Sequence, residues 1–204
     1  MDGASTDRTV DEARPFADVL ITDSELAARG IAHARNVGVA ASHGEVIFHT
    51  DADVFVPDTE QFLWKLADCF DDQEVVAVEA AVMPYPWDST RLDNLIHRIA
   101  NAFFRSSLWY GALFSRGECQ IVRRTAFDRI GGYEGRFVSG EDCDLFKRIS
   151  RIGKIRYLSG TCVHHSTRRF RQVGYWRVLG IYLREWFWMN AFDRSYLTEW
   201  EVVR

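Results

Sequence analysis

The chain has 204 residues, 47% of them hydrophobic and 26% charged, which at about 150 residues per domain makes one large domain or two small ones, with enough length to bury a core unaided. Acidic residues outnumber basic ones by 29 to 25, so the electrostatic footprint of a nucleic-acid binder is missing. Cys69, Cys119, Cys143 and Cys162 contain no C-x-x-C pair, which argues against a zinc knuckle or a disulfide framework, and no apolar run reaches the roughly 18 to 20 residues of a membrane span.

Residues 2 to 7, Asp-Gly-Ala-Ser-Thr-Asp, have loop and helix-cap composition with no element before them. Ser5 or Thr6 is placed to cap a short helix through Arg14 that Pro15 stops, and residues 17 to 21 read as a short apolar strand. A small-residue helix follows from Gly30 to Ser42, with Gly44 as its terminator. Val46-Ile47-Phe48 is a continuous apolar run of the kind a central parallel strand shows, and Asp51-Ala52-Asp53 falls at its end. Asp58 can cap the next helix with Gln61 three residues on, and Phe62, Leu63, Leu66 and Phe70 repeat at helical spacing before a buried strand at 75 to 82.

After the Pro84 and Pro86 loop, Leu92, Leu95, Ile96, Ile99 and Phe103 mark one face of a helix, and residues 106 to 118 are aromatic without a clear period. A strand at 119 to 123, a helical turn or two at 125 to 130 and a forced turn at Gly131-Gly132 come next. From Asp142, the positions Leu145, Ile149 and Ile152 line a helix closed by Gly153, and a strand at 154 to 158 follows. Alternating strands and helices predict an α/β fold with a mostly parallel central sheet and no internal repeat.

Three constellations concentrate the chemistry. Asp51 and Asp53 at a strand end can share a hard divalent cation, Mg2+ or Mn2+, with a diphosphate, or can simply cap the helix that follows. Gly140-Glu141-Asp142 puts an acidic pair at a helix start, suited to N-capping and equally to a general base acting on a sugar hydroxyl. In Val163-His164-His165-Ser166-Thr167-Arg168-Arg169 one imidazole can complete a metal site and Arg168 or Arg169 can clamp phosphate oxygens, a solvated basic loop being the alternative. An extended backbone turns adjacent histidines to opposite faces, so at most one of them is a ligand.

The order and spacing of these pieces resemble the family 2 glycosyltransferases, whose nucleotide-diphospho-sugar-binding domain has the fold called GT-A. Five blocks carry the resemblance: Asp2 to Asp7, Ala34-Arg35-Asn36-Val37-Gly38, Asp51-Ala52-Asp53, Gly131-Gly132-Tyr133, and Gly140-Glu141-Asp142 with its helix to Gly153. The resemblance implies a GT-A-like three-layer sandwich and a role for each position. Asp2 and Arg35 match contacts to the base or diphosphate end of the donor, Asp51 the residue that meets ribose and metal, and Asp53 the direct metal ligand. Asp142 matches the catalytic base, Glu141 lies beside it near the acceptor, and His165 or His164 falls near a position that ligates metal in some relatives. The implied reaction is inverting transfer from a nucleotide-sugar to a carbohydrate or polyprenyl-lipid acceptor.

The family normally begins with a strand, a helix and a second strand before this first block, and here Met1 stands where the first of two aspartates is expected. A missing front of about 30 to 40 residues by ordinary element lengths is therefore expected. Residues 1 to 170 read as the catalytic domain, and 171 to 204 as an aromatic helical extension. Its Trp176, Tyr182, Trp186, Phe187, Trp188 and Phe192, interspersed with Arg177, Arg184 and Glu185, suit either a membrane interface or packing on the domain. The expected location is the cytoplasm or the inner face of the cell membrane. Two other classes fit parts of the pattern: a noncatalytic glycosyltransferase-like remnant, and a D-x-D phosphohydrolase with Asp51 as nucleophile, for which Lys147 and Lys154 are poorly placed supporting lysines.

Overall fold

The computed structural model describes residues 1–110 and 114–198, so part of the aromatic stretch at 106 to 118 and the last six residues of the extension lie outside the described residues. The apolar runs form a five-stranded sheet of β1 (Val46–Thr50), β2 (Val54–Phe55), β3 (Val75–Pro84), β4 (Cys119–Arg123) and β5 (Lys154–His165), in the order β1-β4-β3-β5-β2. Around it lie α1 (Thr9–Ala13), α2 (Ser24–Ala40), α3 (Thr59–Phe70), α4 (Arg91–Ser107), α5 (Arg124–Arg129), α6 (Glu141–Ile149), α7 (Arg168–Val173) and α8 (Tyr175–Phe192).

Period-two alternation divides the apolar side chains between two cores, which makes the molecule three-layered. Ile47, Ala77 and Val122 face a cluster with Phe127, Leu145, Phe146 and Ile149. Their neighbours Val78 and Ile121 face the opposite cluster with Phe62, Leu66 and Phe70 from α3. The Asp58 side chain accepts the Gln61 N–H at 2.9 Å, as the cap pattern predicts.

The sheet is mixed, which corrects the expectation of a mostly parallel one. β3 pairs parallel with β5, whereas β1–β4, β3–β4 and β2–β5 are antiparallel. A continuous apolar run records burial on both faces and carries no information about the direction of the neighbouring strand. Two further expectations change near the front. Residues 17 to 21 form no strand: an isolated parallel bridge between Asp2 and Thr22 follows directly after them. The small-residue helix starts earlier, at Ser24 behind an Asp23 cap, and Gly30 interrupts it with φ 83° and ψ 175°.

β5 runs well past residue 158. Its register with β3 slips between Ala80–Leu158 and Ala81–Cys162, and beyond this irregularity Met83 and Pro84 face His164 and His165. The helix marked by Leu92, Leu95, Ile99 and Phe103 is present as α4, capped by a Thr90–Asp93 capping box. Its apolar face points outward, however, and the opposite face buries Asp93, His97 and Ser107.

Candidate active site

The mixed topology gathers carboxylates at one edge of the sheet. Asp51 follows the C-terminal end of β1, and because β4 runs antiparallel with Thr50 opposite Cys119, Glu118 enters at the same edge from the start of β4. The end of β5 reaches this edge as well, with His165 opposite Val54 of β2, so Asp53 stands one residue from that pairing. This is the strand-end location at which open α/β sheets bind ligands.

Arg35, on α2, pins the acidic groups together. Its guanidinium donates to Glu141 Oε1 at 3.0 Å, to Asp51 Oδ1 at 3.3 Å and to the Gly117 carbonyl at 3.0 Å. It lies 5.4 Å over the Tyr133 ring. A Cβ added at Gly117 would stand 3.1 Å from that guanidinium and 3.4 Å from Asp142 Oδ2, so a larger residue there would intrude between the two.

Asn36 explains why the block after Arg35 and the Gly131-Gly132-Tyr133 turn belong to one site. Its amide donates to the Tyr133 carbonyl at 2.8 Å, and its Oδ1 accepts the Tyr133 N–H at 3.0 Å. Gly132 has φ +72°, and a Cβ there would stand 2.8 Å from Asn36 Oδ1. The Tyr133 hydroxyl donates to Gln120 at 2.6 Å, and Gln120 Nε2 donates to the Asp142 carbonyl at 3.1 Å. The start of α6 is thereby tied to β4.

Burial raises the pKa of Glu141 and of Asp142, with Arg35 opposing in both cases. Asp142 Oδ1 accepts the Cys143 N–H at 2.7 Å, which directs Oδ2 toward Gly117. Asp51 is pushed up to about 6, chiefly by the protein crowded around it, with Glu118 and Asp53 adding and Arg35 opposing. Its side chain keeps 47% of its surface open, so its carboxylate remains accessible to a cation.

The two histidines separate as the strand geometry requires. His164 Nδ1 meets the Pro84 carbonyl at 2.7 Å, and its ring lies near Phe55. His165, buried, turns the other way: Nε2 is 2.8 Å from His97 Nε2, and Nδ1 is 3.6 Å from Glu118 Oε1. Burial lowers His97 to about 4 and holds His165 below its ordinary value, so both rings are neutral near pH 7. His97 Nδ1 faces the Asp93 carbonyl at 2.8 Å and must donate to it. His165 Nε2–H therefore donates to His97, and the lone pair of His165 Nδ1 faces Glu118.

The remaining sequence candidates lie further out. Arg168 is exposed at the start of α7, and it acts electrostatically on Tyr85, whose hydroxyl donates to the Asp53 carbonyl at 2.5 Å. Arg169 follows it, half-buried. Asp2 turns its two carboxylate oxygens to Ser5 N and Oγ, at 2.9 and 2.6 Å. Met1 packs beside Gly38, about a turn beyond Arg35 on α2.

Glu118 and His97 escaped the reading of the sequence. Glu118 precedes a strand instead of following one, and only an antiparallel neighbour brings such a residue to this edge. The polar positions Asp93 and His97, four apart on α4, were the available signal for the second. Among the described residues no three His, Cys, Asp or Glu side chains converge as a complete metal site. Asp51 and Asp53 supply hard oxygen donors of the kind that share a cation with substrate phosphates, so the donor set fits a divalent ion held jointly with a diphosphate.

Fold and site together define an α/β domain with an arginine-pinned acidic cluster at its strand ends. The family model described as glycosyltransferase-like family 2 matches residues 1–179, and the chain belongs to that family. Its fold is similar to that of the mannosyltransferase PcManGT from Pyrobaculum calidifontis in complex with GDP-Man and Mn2+, at TM-score 0.71 and 22% identity over 95% of this chain and 54% of that one. TarS from S. aureus matches at TM-score 0.58 and 18% identity, over 97% of this chain and 34% of that one. Glucosyl-3-phosphoglycerate synthase from Mycobacterium tuberculosis, in complex with Mn2+ and UDP-glucose, matches at TM-score 0.55 and 18% identity over 91% and 66%. The chain thus spans 34% to 66% of the length of these three structures. A search of the curated proteins found no match. These neighbours bear out the GT-A-like fold.

Proposed function

We propose that the chain is the catalytic part of an inverting glycosyltransferase that moves a sugar from a nucleotide-diphospho-sugar to an acceptor hydroxyl or lipid phosphate, with residues 1–170 as the catalytic domain and 171–204 as an extension. The observation that carries this reading is the convergence on Arg35 of the D-x-D block and the acidic start of α6, through Asp51 and Glu141. Simple helix capping would not require those two blocks to meet.

Asp51 and Asp53 would hold Mg2+ or Mn2+, which when bound neutralises charge on the diphosphate leaving group. Arg35 keeps Glu141 and Asp51 from repelling each other across the donor site, and Arg168, whose charge acts on Tyr85, supplies with its neighbour Arg169 the positive charge for phosphate oxygens. Asp142 Oδ2 takes the proton of the acceptor hydroxyl. The acceptor oxygen bonds to the anomeric carbon as the bond from that carbon to the diphosphate oxygen breaks, and the electron pair leaves with the nucleoside diphosphate. Burial that raises the pKa of Asp142 makes it a stronger proton acceptor. His97, by accepting the Nε2–H of His165, fixes that ring at the sheet edge that carries Asp53.

The test measures release of nucleoside diphosphate from UDP- and GDP-sugars with Mn2+, together with the melting temperature. D142N should lose turnover and retain the stabilisation by donor and Mn2+. Turnover retained in D142N removes Asp142 as base. A wild-type chain that neither releases nucleotide nor is stabilised supports the noncatalytic reading, and an aspartyl-phosphate on Asp51 supports the phosphohydrolase.

A further inference from the structure

The outward face of α4 is the largest feature that the acidic site leaves unexplained. Leu92, Leu95, Ile99 and Phe103 are 57%, 54%, 61% and 48% exposed on it, and Trp109, just beyond its end, is 87% exposed. An amphipathic helix normally turns such a stripe to the core. Here the inner face is occupied by polar groups in use: Asp93 in the capping box and His97 against His165. The helix cannot roll its leucines inward without breaking them.

α8 presents a second apolar face, with Trp176 at 85%, Leu183 at 51% and Phe187 at 54% exposure. The two helices are joined at both ends. The Tyr175 hydroxyl, at the start of α8, donates to Asp93 near the start of α4. About ten residues later, Phe114 lies 4.8 Å from the Phe103 ring of α4 and stacks 5.1 Å from Trp186 of α8. Intervals of 10 and 11 residues correspond to about 15 and 16 Å of helix, so the helices run side by side in the same sense and their apolar faces form one surface.

The exposed charges within these two helices have one sign, Asp88 and Asp193 lying just beyond their ends. Arg91, Arg98 and Arg105 recur every seven residues along one margin of α4, and Arg177 and Arg184 do so on α8; all five are exposed. The acids of these two helices are Asp93 and Glu185, 3% and 4% exposed. Asp93 serves the Thr90 cap, Arg171 and Tyr175, and Glu185 accepts the backbone N–H groups of Tyr196 and Leu197. In a chain with net charge −4, an apolar strip bordered by arginines and clear of exposed acid on both helices is complementary to an apolar surface carrying negative charge. A second copy of the chain fits poorly, because a two-fold contact sets the same arginine rows against each other.

We infer that the α4–α8 face docks on the surface of an anionic lipid bilayer, with Leu95, Ile99 and Phe103 entering the acyl boundary, Trp109 and Trp176 at headgroup depth and the arginine rows on lipid phosphates. Among the described residues no helix is long and apolar enough to cross a membrane, so this contact lies in the plane of the interface. The inference is independent of the transferase reading, because it uses none of the acidic site.

The test is co-sedimentation of the whole chain with phosphatidylcholine vesicles containing about one third phosphatidylglycerol, and with phosphatidylcholine alone, at about 0.1 M salt. The wild type should bind the anionic vesicles at least about tenfold more strongly than the neutral ones. R91Q/R98Q/R105Q should lose roughly a hundredfold on anionic vesicles, and L92Q/L95Q/I99Q should lose binding to both with little change in melting temperature, since those side chains are more than half exposed and the Phe103–Phe114 contact between the helices is left in place. A wild type that stays in the supernatant with both vesicles overturns the inference. So do variants that sediment like the wild type, or apolar substitutions whose sole effect is to dissolve a dimer. Nucleotide release measured without vesicles is read separately, so loss of either activity leaves the other conclusion standing.

Discussion

Replacing Glu79 by glutamine preserves the shape of a side chain that is 1% exposed in the middle of β3 and removes its capacity to ionise. Ser115 Oγ donates to one carboxyl oxygen at 3.1 Å, and the other has no partner among the described residues. Burial pushes the pKa from 4.5 to about 8, with Arg116 and Ser115 opposing and Asp142 and Glu118 adding. The folded state therefore binds a proton that the unfolded chain releases above pH 4.5. Stability contributed by this group falls as pH rises from 4.5 through about 8, by up to about 1.4 kcal/mol per pH unit. Over that window the loss approaches about 5 kcal/mol, with about 3 kcal/mol accrued by pH 7. E79Q lacks this titration. Its melting temperature should exceed that of the wild type increasingly toward pH 8, by about 10 to 20 °C at a sensitivity of roughly 2 to 4 °C per kcal/mol. Melting followed by circular dichroism from pH 5 to 9 measures the difference, in which titrations common to both proteins cancel. A difference that is constant with pH, or an E79Q that melts lower throughout, refutes a neutral buried Glu79.

Arg35→Lys replaces a fork that reaches Glu141, Asp51 and the Gly117 carbonyl with one ammonium that cannot span them. Urea denaturation should show a loss of about 2 to 4 kcal/mol, and an unchanged midpoint would deny Arg35 its pinning role. Gly132→Ala should cost about 1 to 3 kcal/mol, because its φ is positive and the new Cβ meets Asn36 and Phe127. Gly135→Ala, with open space around the new Cβ, is the matched control and should melt like the wild type. Asp53→Ala should abolish the Mn2+-dependent part of donor stabilisation and leave the melting temperature of the ligand-free chain unchanged, since Asp53 is exposed. A donor shift insensitive to both EDTA and this substitution would remove Asp53 as a ligand.

Much of the element order can be read from one dimension, for reasons the structure makes plain. Asp58 and Gln61 cap α3 because a cap is a contact between neighbours three apart, and Phe62, Leu66 and Phe70 face inward because helical spacing alone puts them on one stripe. The same spacing misleads on α4. Periodicity finds the apolar stripe and cannot tell whether it faces the core or the outside, a choice made by His165 and Tyr175 bonding to the polar side.

What the sequence by itself determined was a set of local facts: carboxylates after an apolar strand, an acidic pair opening a helix, glycines where Tyr133 needs a tight turn, and two histidines that must diverge. Which of these meet was decided by tertiary structure. Strand direction is not encoded in a run buried on both faces, so only the antiparallel pairing of β1 with β4 brings Glu118 to the edge that holds Asp51 and His165. Arg35 reaches Glu141, 106 residues away, because both core clusters close around one sheet, and an encounter across that separation leaves no periodic trace in the chain.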